Sequence, residues 1–199
     1  MKFIIASKNK KKIAELERIL NPLGIDAVTE NDLKITIPDV EETGKTFSEN
    51  AYLKASSACK ASGLPAIADD TGLCVDALGG APGVFSARYS GENATDKSNN
   101  ELLIENLKDV SEKYRTAKFC CAISVVFPNG DNIKCFGECK GLIGFEPCGE
   151  GGFGYDPYFY VGNNSFASLT AEEKDKISHR GNALRELKVK LKEYLDADK

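Results

Sequence analysis

The chain alternates short apolar runs with segments in which apolar residues recur at helical spacing. The run Lys2–Ala6 favours a β-strand because it is short and rich in β-branched and aromatic residues. The next segment places Ile13, Leu16 and Leu20 at i, i+3 and i+7, which is the spacing of one apolar helix face. The pattern therefore predicts that the chain begins with a strand, a loop and an amphipathic helix.

Two further helices are predicted from their end signals. Thr46 and Glu49 stand at the spacing of a capping box, and an alanine-rich body continues to about residue 62, where a glycine and a proline follow. A strand is then predicted over "AIADD", which ends at Asp70. A third helix is predicted over residues 93–107, with Thr95 or its neighbour as the cap.

The second half of the chain predicts a hairpin and a long final helix. Two alternating runs between residues 117 and 144 flank Asn129-Gly130, a dipeptide typical of tight β-hairpins. No repeat or linker interrupts the sequence, so we expect one α/β domain over residues 1–199, with a largely continuous twisted sheet flanked by helices. The final helix is predicted from one apolar stripe, namely Leu184, Leu187, Leu191 and Leu195.

Composition narrows the class of protein. Of 199 residues, 42% are hydrophobic and 28% are charged, and the net charge of −4 argues against a general binder of nucleic acid or membrane surfaces. No run of about 20 apolar residues exists, and the first apolar run is too short for a signal peptide. An odd number of cysteines without a C-x-x-C pair favours buried structural thiols in a reducing cytoplasm. The seven are Cys59, Cys74, Cys120, Cys121, Cys135, Cys139 and Cys148.

The segment "SKNKKK" between the first strand and helix concentrates positive charge where a helix macrodipole disfavours it. An anion held there by backbone N–H groups, Ser7, Asn9 and a lysine would explain the pattern. In the alternative interpretation, Ser7 or Asn9 caps the helix and the lysines are solvated. The segment lacks the glycines of a Walker P-loop. Its members are Ser7, Lys8, Asn9, Lys10, Lys11 and Lys12.

Four carboxylates stand out in the first half of the chain. Glu41 and Glu42 lie in "DVEETG", where a solvated loop is the simplest interpretation, and Asp69 and Asp70 follow an apolar run. Carboxylate oxygens are the ligands that Mg²⁺ prefers, and sites in α/β sheets lie beyond strand ends. A capping or turn-forming role before Gly72 is the alternative. If the aspartates are extended, their side chains point to opposite faces, so only one can face a cleft.

The glycine-rich segment over residues 149–157 matches G-x-G-x-x-G but is not a dinucleotide fingerprint. That fingerprint must open a helix, whereas here a proline and "YFY" follow at once. A turn presenting Phe153, Tyr155 and Asp156 could stack on a base and accept hydrogen bonds from its N–H groups. In the alternative, the aromatic side chains dock into the core.

The chain contains a single histidine, His179, which is followed by Arg180. Ser178 is predicted to cap the last helix, which places both residues in its first turn. Arginine offers fixed donors to a carbonyl or a phosphate there. A histidine buried for structural reasons is the alternative.

Five motifs in this order, "SKNKKKIAEL", "TFSENAYLKA", "ADDTGLCVDALGGAPGVFSARYSG", "GGFGYDPYF" and "EEKDKISHRGNAL", resemble those of the pyrophosphatases that hydrolyse non-standard purine nucleoside triphosphates. The resemblance runs nearly end to end. It implies an elongated α/β fold with two lobes around a central substrate cleft, Mg²⁺ as cofactor, and a homodimer. The chain departs from the family pattern at Ser7, where threonine is usual, and at Thr71, where serine is common, and both changes keep the hydroxyl.

The same resemblance implies residue roles. Asp70 matches the proton acceptor and Mg²⁺ ligand, Glu41 looks like a second metal ligand, and Thr71 matches a hydroxyl that contacts substrate. Residues 7–12 match the triphosphate-binding loop. A further substrate contact is matched by Lys174. The base pocket is matched by Phe153, Gly154, Tyr155, Asp156, His179 and Arg180.

These roles predict a reaction. A water oriented by Asp70 would attack the α-phosphorus of ITP, dITP or XTP, releasing pyrophosphate and a monophosphate, while His179 and Arg180 donate to the 6-oxo group of the base. Two alternatives stay open. One is a related pyrophosphatase for modified pyrimidine nucleotides, whose loop typically pairs hydroxyls with arginines, and the other is a nucleotide sensor without catalysis.

Overall fold

The computed structural model describes residues 1–197 and contains α-helices, β-strands and short 3₁₀ turns. The strands and helices are, in chain order, β1 (Lys2–Ile5), α1 (Lys10–Leu20), β2 (Asp26–Val28), α2 (Glu30–Leu33), α3 (Phe47–Ser62), β3 (Ala66–Val75), α4 (Asp96–Asn106), β4 (Thr116–Val126), β5 (Asn132–Ile143), β6 (Phe159–Val161), β7 (Asn164–Ser165), α5 (Ala171–Ile177) and α6 (His179–Ala197).

The strands join in one mixed sheet, which confirms the predicted α/β class. Within the described residues the sheet has seven strands in the order β2-β1-β3-β4-β5-β6-β7. Strand β1 runs parallel to both β2 and β3, while β6 runs antiparallel to β5 and β7. The hairpin predicted at Asn129-Gly130 joins β4 to β5, and the amide of Gly130, whose φ is +93°, donates to the carbonyl of Phe127.

The chain divides into two compact units, each with its own core. Unit 1 comprises residues 1–70, residues 121–137 and the last helix from Arg180, and unit 2 comprises residues 71–120 and 138–179. Among the described residues, no helix is long and apolar enough to cross a membrane.

The core of unit 1 is built by α1, α6 and the strands between them. Three leucines of the predicted α6 stripe are buried in it together with Phe3 and Leu16, and Leu195 packs against its edge. In a separate buried cluster, alanines of α3 pack with residues of β1 and β3 such as Ile4 and Ala68. Small side chains let this helix approach the strands closely, which brings its polar side chains near the aspartates of β3.

The core of unit 2 is aromatic. Phe119 lies parallel to the ring of Phe166 at 5.8 Å between centroids and meets Phe159 edge-on at 4.7 Å. Leu73 and Val75 of β3 complete this cluster. All seven cysteines are free thiols; five of them are buried, as the sequence predicted, whereas Cys74 is half-buried and Cys148 is exposed, contrary to that prediction.

The predicted caps of three helices are confirmed, although α4 spans Asp96–Asn106 and not the predicted residues 93–107. Asn9 caps α1 by accepting from the amides of Lys11 and Lys12, and Thr46 forms the predicted capping box at the start of α3. Gly63 ends α3 with φ at +69°, a conformation that glycine adopts without strain. Thr95 rather than Asp96 caps α4.

The predicted end of the strand at Asp70 is wrong. Strand β3 continues to Val75, so Asp69 and Asp70 lie in the middle of a ten-residue strand. The strand continues because Leu73 and Val75 are buried core residues of unit 2, and their burial outweighs the turn tendency of Gly72.

Candidate active site

The first feature of the site is a carboxylate cluster in unit 1, made of Asp70, Glu42, Lys54 and Asn50. The Nζ atom of Lys54 lies 2.9 Å from Oδ1 of Asp70 and 2.9 Å from Oε1 of Glu42. The side-chain amide of Asn50 donates to Oδ2 of Asp70 at 3.3 Å. Both Lys54 and Asn50 come from α3, whose start is fixed by its capping box. The cluster therefore holds one buried carboxylate at a defined position on β3.

Burial and charge compete at this cluster. Burial raises the pKa of Asp70 above its usual range, although the ammonium of Lys54 opposes that shift. Burial disfavours the charged form of Lys54 as well, but the carboxylates of Asp70, Asp69 and Glu42 outweigh it, so the pKa of Lys54 lies above its ordinary value. Lys54 is thus a fixed cation shared by two carboxylates.

Asp69 belongs to a different ion-pair network, on the other face of β3. Its Oδ2 accepts from two guanidinium nitrogens of Arg180, at 3.2 and 2.8 Å, and lies 3.3 Å from the Nζ of Lys12. Arg180 also pairs with Glu15 of α1. Burial opposes ionisation of Asp69, but the charges of Lys12, Arg180 and Lys54 hold its pKa well below the usual range. The two aspartates thus point opposite ways, as the alternation of a strand requires.

The lysine-rich loop combines a helix cap with one inward lysine. Asn9 acts as the cap, and its own amide donates to the hydroxyl of Ser7 at 3.2 Å. Lys8 pairs with Asp39, and Lys12 reaches Asp69. Lys10 and Lys11 are exposed. The capping interpretation of Asn9 is confirmed, and a role in phosphate binding stays a prediction.

In unit 2, the glycine-rich segment forms turns rather than opening a helix, as predicted. The carboxylate of Asp156, only 2% exposed, accepts from the amide of Phe153 at 2.8 Å and from the Nζ of Lys174 at 2.7 Å. That ammonium also lies 5.1 Å from the ring centroid of Phe153, within cation–π range. Two predicted base-pocket residues, Phe153 and Asp156, therefore come together with Lys174, the predicted further substrate contact.

The other predicted pocket residues are placed differently. Tyr155 is 4% exposed and its hydroxyl donates to the carbonyl of Ser86 at 2.8 Å, so its ring belongs to the core. The imidazole of His179 is also buried and stacks on Phe119, with 4.7 Å between ring centroids. Thr71 is half-buried on β3, and Gly154 donates its amide to Asp96 at 2.8 Å.

The turn glycines allow a direct test of the Asp156 contact. A Cβ at Gly152 would lie 2.1 Å from Oδ2 of Asp156, whereas one at Gly162 would meet nothing within 4 Å, and both residues have positive φ. Both alanine variants carry backbone strain of about 1–2 kcal/mol, but only Gly152→Ala displaces the carboxylate from Lys174. For the nucleotide substrate that the sequence resemblance implies, we expect KM to rise about tenfold in Gly152→Ala and little in Gly162→Ala. Equal KM values in steady-state assays would contradict this.

The carboxylate cluster also fits a divalent cation. Asp70 and Glu42 direct one oxygen each at the same ammonium, and Mg²⁺ commonly uses one or two carboxylates together with substrate phosphates. Within residues 1–197, no group of three or more His, Cys, Asp or Glu side chains is placed to hold a metal ion. Glu41, the predicted second metal ligand, is exposed.

Sequence reasoning missed several members of the site. Lys54, Asn50 and Glu15 were not singled out, because each lies on a helix where a polar residue is ordinarily solvated. A usable signal existed for Lys54, which follows Asn50 by four residues and therefore shares one face of α3.

A mixed sheet with two oppositely facing buried aspartates, each bound to lysine or arginine, defines an α/β protein suited to an anionic ligand and a cation. The chain belongs to the Ham1 family, whose family model matches residues 3–190.

Curated relatives and a solved structure agree with this assignment. The chain is 51% identical to the dITP/XTP pyrophosphatase of Shigella flexneri, covering 92% of this chain and 94% of the relative. It is 47% identical to the dITP/XTP pyrophosphatase of Streptomyces avermitilis, with 98% of each chain covered. The structure of a HAM1 protein from Coxiella burnetii superposes with a TM-score of 0.86 at 44% identity, covering 97% of this chain and 99% of that one.

Proposed function

We propose that this protein hydrolyses non-standard purine nucleoside triphosphates, namely ITP, dITP and XTP, to the nucleoside monophosphate and pyrophosphate. The observation that carries the proposal is the buried carboxylate of Asp70 in contact with Lys54, in a chain that matches dITP/XTP pyrophosphatases along 92% or more of its length. Removal of such nucleotides would cleanse the nucleotide pool.

In the proposed reaction, Asp70 orients a water for attack on the α-phosphorus and accepts its proton at a carboxylate oxygen. Asn50 and Lys54 keep that carboxylate in one orientation, since each contacts a different oxygen of it. A bound Mg²⁺ would supply charge neutralisation at the phosphates. We assign Asp70 as one protein ligand of that ion, with Glu42 or the predicted Glu41 as the second.

The triphosphate would be held by the lysine-rich loop. The amides of Lys11 and Lys12 already donate to Asn9, so the charges of the lysine side chains, rather than these amides, are proposed to attract the phosphates. The side chains of Lys8 and Lys10 are exposed, so they are accessible to a triphosphate in solution.

The base would be recognised by Phe153 and the charged side chains beside it. Phe153 offers a half-buried aromatic ring beside the carboxylate of Asp156 and the ammonium of Lys174. A 6-oxo group accepts hydrogen bonds whereas the 6-amino group of adenine donates them, so a donor such as Lys174 or His179 favours hypoxanthine and xanthine. Arg180, the other predicted donor, directs its guanidinium to Asp69 and Glu15.

A substrate panel tests the function. The protein is incubated with ITP, XTP, GTP and ATP in the presence of Mg²⁺, and both pyrophosphate and orthophosphate are quantified. We expect pyrophosphate from ITP and XTP at rates at least 10² times those with ATP. Release of orthophosphate in place of pyrophosphate would refute attack at the α-phosphorus, and equal rates with ATP would refute the base preference.

A matched pair of variants identifies the second metal ligand. Glu42 shares Lys54 with Asp70 whereas Glu41 is exposed, so Glu42→Gln should raise the Mg²⁺ concentration needed for half-maximal activity by about tenfold, and Glu41→Gln should change it little. The measurement is a Mg²⁺ titration at saturating ITP. The reverse order of effects would restore the predicted assignment to Glu41.

We further propose that the protein works as a homodimer in the cytoplasm on free nucleotides. The net charge of −4 supports a small-molecule substrate over nucleic acid. Light scattering of the eluting protein measures its mass directly, and a mass of about 21.6 kDa instead of twice that value would exclude the dimer.

A further inference from the structure

Helix α4 binds both backbone polar groups of Gly154 in unit 2. The amide of Gly154 donates to Oδ2 of Asp96 at 2.8 Å, and its carbonyl accepts from Nδ2 of Asn100 at 2.9 Å. The same Nδ2 donates to the carbonyl of Asp96 at 2.8 Å. Asp96 and Asn100 stand four residues apart, so they share one face of the helix. These two side chains, the α4 clamp, therefore fix the residue that directly follows Phe153.

Hydrogen bonds rather than packing hold Gly154 in place. A Cβ at this position would meet nothing within 4 Å among the described residues, so no neighbouring group restrains it on that side. Its φ is +61°, a region that glycine enters without strain but also leaves easily, because glycine is the most flexible residue. The conformation of the turn at Gly154 therefore depends on the α4 clamp.

The amide of Asn100 is buried in a defined orientation. Asn100 is 8% exposed, and both groups that its Nδ2 contacts are carbonyl oxygens, so the nitrogen of the amide must face them. Within residues 1–197, its Oδ1 has no hydrogen-bond partner, which is unfavourable for a buried acceptor. An apolar side chain would avoid that cost. Core packing alone therefore does not explain an asparagine at this position.

A second connection runs from α4 to the same turn through Asn99. Its Nδ2 donates to the carbonyl of Ser86 at 3.3 Å, and that carbonyl also accepts from the hydroxyl of Tyr155 at 2.8 Å. Helix α4 thus holds Gly154 directly and Tyr155 through Ser86. Phe153 precedes these two anchored residues, so the direction of its ring follows from where the helix holds the turn.

We propose that Asp96 and Asn100 are positioning residues, which keep the ring of Phe153 in the orientation that a nucleotide base stacks on. The inference rests on the proposed function, in which Phe153 contacts the base. A change in the backbone of Gly154 would redirect that ring relative to Lys174. The clamp contacts the turn and leaves Asp70 untouched, so its loss should weaken substrate binding and spare the chemical step.

The first test separates the acceptor of Asp96 from its charge. Asp96→Ala and Asp96→Asn both remove a negative charge from the first turn of α4, but asparagine keeps an oxygen for the amide of Gly154. We expect KM for ITP to rise about threefold in Asp96→Ala, because one hydrogen bond is lost, and to stay near the parent value in Asp96→Asn. Asp96 is exposed, so both variants should fold.

The second test removes the buried donor. We expect Asn100→Ala to raise KM for ITP about tenfold, since the carbonyl of Gly154 loses its contact with α4, and to leave kcat within about twofold. The matched control is Asn106→Ala, the same change on the same helix, where the side chain donates to the hydroxyl of Tyr89 at 2.8 Å instead. Its KM should equal that of the parent. Steady-state kinetics at saturating Mg²⁺ measure both constants.

A third measurement does not depend on turnover. Hydrogen–deuterium exchange of the peptide over residues 149–157 is followed by mass spectrometry in the nucleotide-free protein. We expect exchange about tenfold faster in Asp96→Ala and Asn100→Ala, because the turn opens more often once a hydrogen bond to α4 is lost. Asp96→Asn and Asn106→Ala should exchange like the parent.

Three results would overturn the proposal. They are faster exchange at the turn with an unchanged KM, equal KM values in the two Asp96 variants, and unchanged exchange in Asn100→Ala. A parent protein that releases no pyrophosphate from ITP would by itself refute the proposed function, and the calorimetric dissociation constant for ITP would then replace KM in the same comparisons. A parent that neither hydrolyses nor binds ITP would overturn both proposals. If Asn100→Ala does not fold, the two exposed Asp96 variants decide.

Discussion

Replacing Asp70 with Asn should lower kcat for ITP hydrolysis by about 10³, within the range for loss of a proton acceptor. Asparagine keeps the size of the side chain and can still contact Lys54 and Asn50, but it cannot accept a proton from water. Because the lysine-rich loop and the group of Phe153, Asp156 and Lys174 proposed to bind the nucleotide are untouched, binding of a non-hydrolysable ITP analogue at saturating Mg²⁺ should change by less than about threefold. Single-turnover rates and calorimetric titration of the analogue measure the two quantities.

The control for this variant is Asp39→Asn. Asp39 is an exposed carboxylate paired with Lys8, and its replacement should leave kcat within about twofold. A nucleotide sensor without catalysis would show no turnover in the parent protein and the same binding in Asp70→Asn. If Asp70→Asn retained full turnover, the assignment of the proton acceptor would have to move to another carboxylate.

Replacing Asp69 with Asn should lower the free energy of unfolding by about 3–5 kcal/mol, because the buried guanidinium of Arg180 loses the carboxylate that accepts two of its hydrogen bonds, and the half-buried ammonium of Lys12 loses its partner. The exposed pair Lys2–Asp26 offers a matched control, and Asp26→Asn should cost less than about 1 kcal/mol. Urea unfolding at pH 7 measures both changes.

The same network predicts how stability depends on pH. The folded-state pKa of Asp69 is depressed, so its contribution is present above the unfolded value of about 3.9 and is lost as the pH falls through the lower folded-state value. Stability of the parent should therefore decline on acidification more steeply than that of Asp69→Asn. Parallel curves for the two proteins between pH 7 and pH 3 would show that this network does not lower the pKa of Asp69.

The contacts of Arg180 indicate a structural role in place of the predicted contact with the base. A base-contacting arginine would relax the choice of base when replaced by alanine, with little loss of phosphate binding. In the structure, its guanidinium is 2% exposed and is bound by Asp69 and Glu15. Arg180→Ala should thus reduce stability as strongly as Asp69→Asn, and its effect on ITP against ATP is interpretable only in protein shown to be folded.

Most of the helices could be predicted from the sequence because their signals are local. The capping box of Thr46 with Glu49 and the leucine stripe of α6 each depend on residues within a few turns of one another. The strands β2, β6 and β7 contain two or three residues each, which is too short for an alternating pattern to stand out. They form because a neighbouring strand supplies hydrogen bonds, and that information is not local.

In the candidate site, too, the local features could be predicted from the sequence and the tertiary contacts could not. Alternation along a strand implied that Asp69 and Asp70 face opposite ways, but it could not say which cations each would meet. Lys54 meets Asp70 because α3 packs on β3 through small residues, and Arg180 meets Asp69 because α6 starts next to that strand position. These contacts depend on tertiary register, which no residue pattern within one element encodes.

The opposite orientation of the two aspartates separates two phenotypes that mutational surveys usually confuse. In a library of all single substitutions scored in parallel for cellular abundance and for turnover, position 70 should populate the class of abundant but inactive variants. Position 69 should instead lose abundance, and activity would fall only as a consequence. Two adjacent codons would then report on chemistry and on folding independently, and their scores would diverge although the encoded side chains are the same.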